Sequence, residues 1–369
     1  MIKSALFWSC VVLSLAFIGK LLLDTGTFRH IETKGLTQCQ LMVPPNGEGQ
    51  AFEDFAIDYE KGVAYMPGDN RAWWHTLNIS LASQSKRGKM FRLDLESETF
   101  SQYKLVNYPY EHFHPLGIGL LKRQNNQLFL TNYRVVDGEV VGTVEIFETS
   151  TSNEKQVKWI DSVVHPLFTM PDDVLPIDEN TFYVSNVYHY RVDKSPYLHL
   201  FETFGRRPWT DVLLCSKTNE WQCKILIDSM ATSNGIAASL DFKTIFIAFT
   251  ADKSVRVYKY NSENNLLTYT QSLYVEFFPD NLMVNDKDEL IVAGHPKPLV
   301  FVQHEKDRHV RSPSEIVIFR NPTSNSTYES LLLTNGEILS ASTVGATYKH
   351  KLLVGALCDH GILMCHDLS

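Results

Sequence analysis

The sequence predicts an all-β fold, a six-bladed propeller, from three observations. One motif recurs about six times at spacings of roughly 45 to 65 residues, and a period near 50 is what propeller blades produce. Each copy couples an alternating strand to an apolar return strand, with short acidic or amide residues at the head of the pair. The 369-residue chain is 44% hydrophobic and 12% aromatic, enough to bury one large core as a single domain. In a radial array every strand head points at the axis. One polar centre lined by carboxylates and amides is therefore expected.

The clearest copy is Phe278 to Val284, headed by Asp280 and Asn281 and followed by the apolar run Leu290 to Ala293. The other heads, in chain order, are Glu53-Asp54, Pro115-Leu116-Gly117-Ile118, Asp172-Asp173, Asn234-Gly235 and Ser342-Thr343-Val344. Each precedes its own apolar strand, such as Phe129 to Leu130 or Phe182 to Val184.

Before the first copy lies Ser4 to Leu23, apolar apart from Lys20 and preceded by Lys3. A run of roughly 18–20 apolar residues can cross a hydrocarbon layer, so it reads as a signal peptide or signal anchor. No small-x-small cleavage site follows, which favours an uncleaved anchor. The expected division is residues 1–24 as this segment and 25–369 as the propeller. The destination is the secretory pathway, with the propeller lumenal or extracellular and either anchored or secreted. There the cysteines become readable as bridges. A propeller closes by pairing an N-terminal strand with its last blade, and a Cys39–Cys365 bond would lock that closure. Cys215 and Cys223 flank a turn and read either as a cross-strand bridge or as two free thiols. Cys358 reads as a small buried thiol. Asn78-Ile79-Ser80 and Asn325-Ser326-Thr327 are glycosylation sequons that fit this compartment. A net charge of -8 and a pI near 5.9 exclude nucleic acid as a partner, since no basic stripe can neutralise phosphates.

The heads carry the chemistry. Glu53, Asp54, Asp172, Asp173, Asn234, Asp280 and Asn281 offer oxygen ligands only, the set that a hard cation such as calcium takes. Converging unpaired, these acids would repel one another, and a cation relieves that. Singly, each reads equally well as a strand-starting turn; the recurrence is what points to a site. Gly-x-Ser-x-Gly, His-Glu-x-x-His and Gly-rich phosphate motifs do not occur. His112 and His114 form a rim pair without a convincing third zinc ligand in sequence.

These heads, with Gly294-His295-Pro296 and the closing run Ser342 to Leu353, resemble the metal motifs of the paraoxonase/arylesterase family from about Cys39 to Cys365. The resemblance implies a six-bladed propeller with two calcium ions in its central tunnel, a terminal disulfide, a retained N-terminal hydrophobic segment, and hydrolysis of lactones and aryl esters. It places a catalytic calcium on Glu53, Asp172, Asn234, Asp280 and Asn281, and a structural calcium on Asp54, Asp173 and the carbonyl of Ile118. Two departures stand out. Asp172 takes the place of a usual amide, which should tighten the ion and weaken its Lewis acidity. Leu116 and Tyr133 occupy the positions of the family's histidine dyad; leucine accepts no proton, and a tyrosine is protonated at neutral pH. Asp172, Asp280, His112 and His114 are the candidate bases that remain.

Two insertions are expected to rim the tunnel. Arg71 to Gly88, with Trp73, Trp74 and His75, reads as a mobile loop. Ser195 to Gly205 reads as a short lid helix, with Ser195 as N-cap, Pro196 in its first turn and Gly205 at its end. Its apolar side, Tyr197, Leu198, Leu200, Phe201 and Phe204, reads either as packing onto the propeller or as a lid facing a membrane or lipid surface. The leading function is calcium-dependent hydrolysis of a small ester or lactone. The alternative is a non-catalytic, calcium-stabilised propeller that binds ligands or lipid and lipoprotein partners.

Overall fold

The computed structural model describes residues 2–35, 38–45, 49–78, 87–150, 155–324 and 327–367. It is an all-β propeller whose strands follow one another outward from the axis. Three four-stranded antiparallel sheets run in simple chain order. Their innermost strands are Pro171–Asp178, Ser233–Ala238 and Phe278–Val284. A fourth closes the ring: Ser342–Tyr348 lies innermost, and the N-terminal strand Cys39–Met42 lies outermost beside Ile362–Cys365. Cys39 and Cys365 face each other in this register and are disulfide-bonded. Cys215 and Cys223, opposed across a hairpin, are bonded as well, which decides between their two readings. Cys358 is a free, buried thiol, its pKa pushed up to about 12 by burial.

The expectation of six separate sheets is corrected here. The remaining strands form one eight-stranded sheet built from two antiparallel runs, Ala56–Asp58 to Thr99–Val106 and His114–Leu121 to Gln156–Val163. The two outer strands pair in parallel, Lys104 to Val106 against Gln156 to Lys158. An outer strand leaves unpaired N–H and C=O groups on its edge. These two edges satisfy one another, and the runs fuse.

Packing between sheets supplies the core. Phe52, Met66, Phe91, Leu353 and Met364 pack together where the first and last sheets meet. Each such side chain contributes about 1.5–3 kcal/mol by leaving water.

Among the described residues three α-helices stand outside the sheets: α1 (Ile2–Asp24), α2 (Pro196–Gly205) and α3 (Pro298–Lys306). In α1 the span Phe7–Asp24 has a mean hydropathy of 1.8 and is not covered by the propeller. It is long and apolar enough to cross a membrane. With the disulfides, it is compatible with a secreted or membrane-anchored protein. The chain after α1 is strapped to the propeller. Gly26, at positive φ, approaches the Pro296 carbonyl so closely that a Cβ would lie 2.4 Å from its oxygen. Arg29 then grips the buried Glu315 with two nitrogens, at 2.6 and 3.1 Å.

Two local expectations change. Arg71–Thr76 is a 3-10 helix rather than loop, and Trp73 and Trp74 are buried. The two indoles and Tyr133 pack edge against face, which pins this stretch inside the molecule. Residues 79–86 of that insertion lie outside the described residues. The α2 range is as expected, but Ser195 makes no side-chain capping bond, and Arg206, not Gly205, takes the left-handed cap position.

Candidate metal centre and active site

All strand heads but Glu53-Asp54 are bulges. Antiparallel register slips between Pro115 and Ile118, Pro171 and Val174, Ser233 and Ile236, and Pro279 and Leu282. A bulge inserts an extra residue and re-aims side chains that a regular strand would alternate. Successive residues can therefore both serve the axis. The strands also come very close there. A Cβ on Gly117 would lie 2.3 Å from the Asp172 carbonyl oxygen, and one on Gly235 2.7 Å from the Asn281 Cα.

The carboxylates divide into two kinds. Asp54 accepts the amide of Phe55 on one oxygen (2.8 Å) and that of Ile118 on the other (2.9 Å). Asp173 repeats the arrangement with Val174 (2.7 Å) and Ile236 (2.7 Å). Each ties its own inner strand to the neighbouring one. Ile118, expected to lend a carbonyl, thus lends its amide to the same centre. The second kind is different. Glu53 Oε2, Asp172 Oδ2, Asn234 Oδ1 and Asn281 Oδ1 are all buried without a hydrogen-bond partner. Asn281 also donates to Glu53 Oε1 at 2.5 Å.

Burial pushes the pKa of Glu53 well up, with repulsion from Asp280 adding to it. Asp172 rises through burial and then through Glu53 and Asp280, and Asp54 through burial and then through Asp173 and Glu53. Asp173 is raised to about 7 by burial, against the pull of the Ile236 and Val174 amides. Among the described residues no three His, Cys, Asp or Glu side chains are drawn into a ready metal cage. The oxygens instead stand apart around the axis, amides included.

Over this ring lies a cavity of about 490 Å³. Glu53, Asp172, Asn234, Asp280 and His295 face it from below, and α1, α2 and α3 each contribute to its walls. His295 carries a role that sequence reading missed. Its Nε2 lies 2.7 Å from Asp280 Oδ2, its ring stacks on Phe301 at 3.8 Å, and its Nδ1 is buried without a partner. It stands opposite Phe278 in the strand register, two residues from Asp280. The signal was there in Gly294-His295-Pro296, but the pairing with Asp280 depends on that register.

The other candidate bases are placed differently. His114 is buried with Nδ1 3.1 Å from Asp69 Oδ2, an oxygen that also accepts from Trp73 Nε1 (3.1 Å) and faces Arg71 (3.2 Å). His112 is half-buried beside it, its pKa held down by burial and by His114. Neither lines the cavity. Leu116 and Tyr133 are packed with Trp73 and Trp74, and Tyr133 donates its hydroxyl to the Pro171 carbonyl at 2.8 Å. Burial drives the Tyr133 pKa further up, so it holds its proton.

On α2 the apolar side is shared. Tyr197, Leu200 and Phe204 border the cavity and Leu198 and Phe201 do not, but Tyr197 and Leu200 are as open to solvent as those two. Glu202 anchors the helix by accepting the amides of His189 and Tyr190, each at 2.9 Å. Asn78 is exposed; Asn325 lies outside the described residues.

Fold and site together define a propeller with one apolar-walled cavity above a ring of axial carboxylates. The arylesterase family model matches residues 75–367, and the chain belongs to that family. Serum paraoxonase/lactonase 3 of Rattus norvegicus is 26% identical over 369 residues, covering 95% of this chain and 96% of its own. Serum paraoxonase/arylesterase 1 of Homo sapiens is 27% identical, covering 92% of each. Among solved structures, a gluconolactonase of Xanthomonas campestris superposes with a TM-score of 0.50 at 11% identity, covering 90% of this chain and 92% of its own. That likeness is one of fold. At the level of the family, the relatives are ester and lactone hydrolases.

Proposed function

We propose that the protein hydrolyses small lactones or aryl esters with calcium held on the axial ring. The observation that carries this is the set of four buried, unpartnered oxygens on Glu53, Asp172, Asn234 and Asn281, the first three on residues that line the cavity. Leaving such atoms unpaired costs about 1–3 kcal/mol each, and an oxygen-seeking cation removes that cost. Glu53, Asp172, Asn234, Asp280 and Asn281 would hold the catalytic ion. Asp54, Asp173 and the Ile118 carbonyl would hold a second, structural one. When bound, calcium supplies polarisation of the substrate carbonyl and stabilisation of the charge that develops on its oxygen.

The chain's own residues do the rest. Asp280 fixes a proton on His295 Nε2, which leaves the Nδ1 lone pair to accept one from water. This moves the base from the first sequence candidate, Asp172, to His295. Asp172, with its buried unpartnered Oδ2, is committed in this reading to holding the ion. The apolar walls from α2 and α3 exclude water and orient the substrate. Counting each antiparallel run of the fused sheet as a blade, the architecture is six-bladed. With α1 as a membrane anchor and Asn78 as a glycan site, the cavity opens toward a lipid surface.

A packed Leu116 and Tyr133 favour the second reading, a calcium-stabilised propeller that binds without turnover. A panel of phenyl esters and lactones decides between them. Wild type is expected to show calcium-dependent turnover, and His295→Gln to lose about two to four powers of ten in kcat. If folded, calcium-loaded wild type turns over nothing above its chelated control, the binding propeller stands.

A further inference from the structure

The cavity is not closed by the propeller alone. Leu21 and Asp24, from the end of α1, and Thr25 just beyond it stand in its wall, as do Tyr197, Leu200 and Phe204 of α2. Asp24 forms an ion pair with Arg206 at 3.6 Å, and Arg206 also donates to the Ala251 carbonyl, another cavity residue. The turn after α1 cannot drift. Thr25 Oγ1 donates to the Leu21 carbonyl at 2.7 Å, Gly26 lies against Pro296, and Arg29 holds Glu315. Pro296 directly follows His295, so the strap and the floor of the site share a backbone segment.

We propose that the last turn of α1 is a wall of the substrate cavity, with Leu21 limiting the apolar group a substrate can carry, and that the Asp24–Arg206 pair latches this turn to α2. The inference rests on the proposed hydrolase only in calling the occupant a substrate. The ligand class is an apolar-chain lactone or ester, since the helices that wall the cavity present Leu21, Leu200 and Phe204 to it. The segment that anchors the protein thereby also sets its selectivity.

The test uses the full chain in lipid nanodiscs and two lactams, the unhydrolysed analogues of lactones: one with a decyl chain and one with a butyl chain. Leu21→Trp is expected to weaken the decyl lactam about tenfold and leave the butyl lactam within about twofold, since only the longer chain meets the added bulk. Leu21→Ala, which leaves space, is expected to shift preference toward the decyl lactam. In a double-mutant cycle, the effects of Asp24→Asn and Arg206→Gln on decyl-lactam affinity are expected to be non-additive. Unchanged affinities in both Leu21 variants, or equal loss of both lactams, would overturn the wall. Additive effects would overturn the latch. Lactam binding is read without turnover, so an inactive protein would sink the hydrolase reading and leave this one standing or falling by its own data.

Discussion

Glu53 and Asp54 are neighbours in sequence, as are Asp172 and Asp173, yet the two members of each pair live under different rules. Asp54 and Asp173 spend both oxygens on backbone amides, one from the next residue and one from an adjoining inner strand. Glu53 and Asp172 each keep an oxygen buried and unpartnered, facing the cavity. The first pair behaves as rivets between sheets. The second is an unfinished site. At Asp172 and Asp173 a bulge makes this possible, because it re-aims side chains that a regular strand would alternate; Glu53 and Asp54 reach the same centre from the segment just before their strand. Burial penalises all four; the rivets recover part of the loss through two backbone amides each, Glu53 through the Asn281 amide alone, while Asp172 meets only repulsion from its acidic neighbours.

The largest effect should come from breaking a rivet. Asp173→Asn would put a donor toward an amide that needs an acceptor, leaving a buried N–H unpaired. A loss of about 1–3 kcal/mol, measured by denaturant unfolding with or without calcium, is expected. Asp172→Asn should cost much less, and in chelator it should stabilise, since it removes a charge repelled by Glu53 and Asp280. If the two substitutions prove equally harmful in chelator, the division into rivets and site oxygens is wrong. Next in size is metal removal. Under the proposed function chelation should lower the wild-type Tm, because calcium would bind the folded ring and not the unfolded chain. The drop should be smaller in Asp172→Asn, whose ring has less repulsion to relieve. A Tm indifferent to calcium in both proteins would remove the cation from the picture.

The strand heads were legible in the sequence because short polar residues before an apolar strand are rare enough to recur only for a reason. The closure was legible from Cys39 and Cys365, which sit where an N-terminal strand must meet the last sheet. The fused sheet was not, since it depends on a short parallel pairing, Lys104 to Val106 with Gln156 to Lys158, that no side-chain pattern announces. Trp73 and Trp74 looked like rim residues because a single 3-10 turn is too short to show a period. His295 was hidden for a different reason: its pairing comes from an antiparallel register that brings it beside Asp280, a neighbour 15 positions away. Local pattern finds strands and their heads. It does not find partners.

The finest distinction lies in pH. In the metal-free protein Asp173 titrates near 7, whereas an unfolded aspartate titrates near 3.9. Between those values the folded chain holds a proton that the unfolded chain has released, so stability falls as pH rises through the window and levels off above it. Glu53, Asp54 and Asp172 are shifted in the same direction and carry the decline toward higher pH. The proposed calcium would reverse the sense, because it would bind the ionised ring and gain as the carboxylates lose their protons. The chelated protein should therefore melt at progressively lower temperature from about pH 5 to about pH 8, while the gap between chelated and calcium-loaded curves widens. Asp172→Asn should flatten the chelated curve by removing one of the raised carboxyls. A chelated Tm that climbs across the same range would mean the ring is already ionised and compensated from within the protein, and the unfinished site would be finished without a metal.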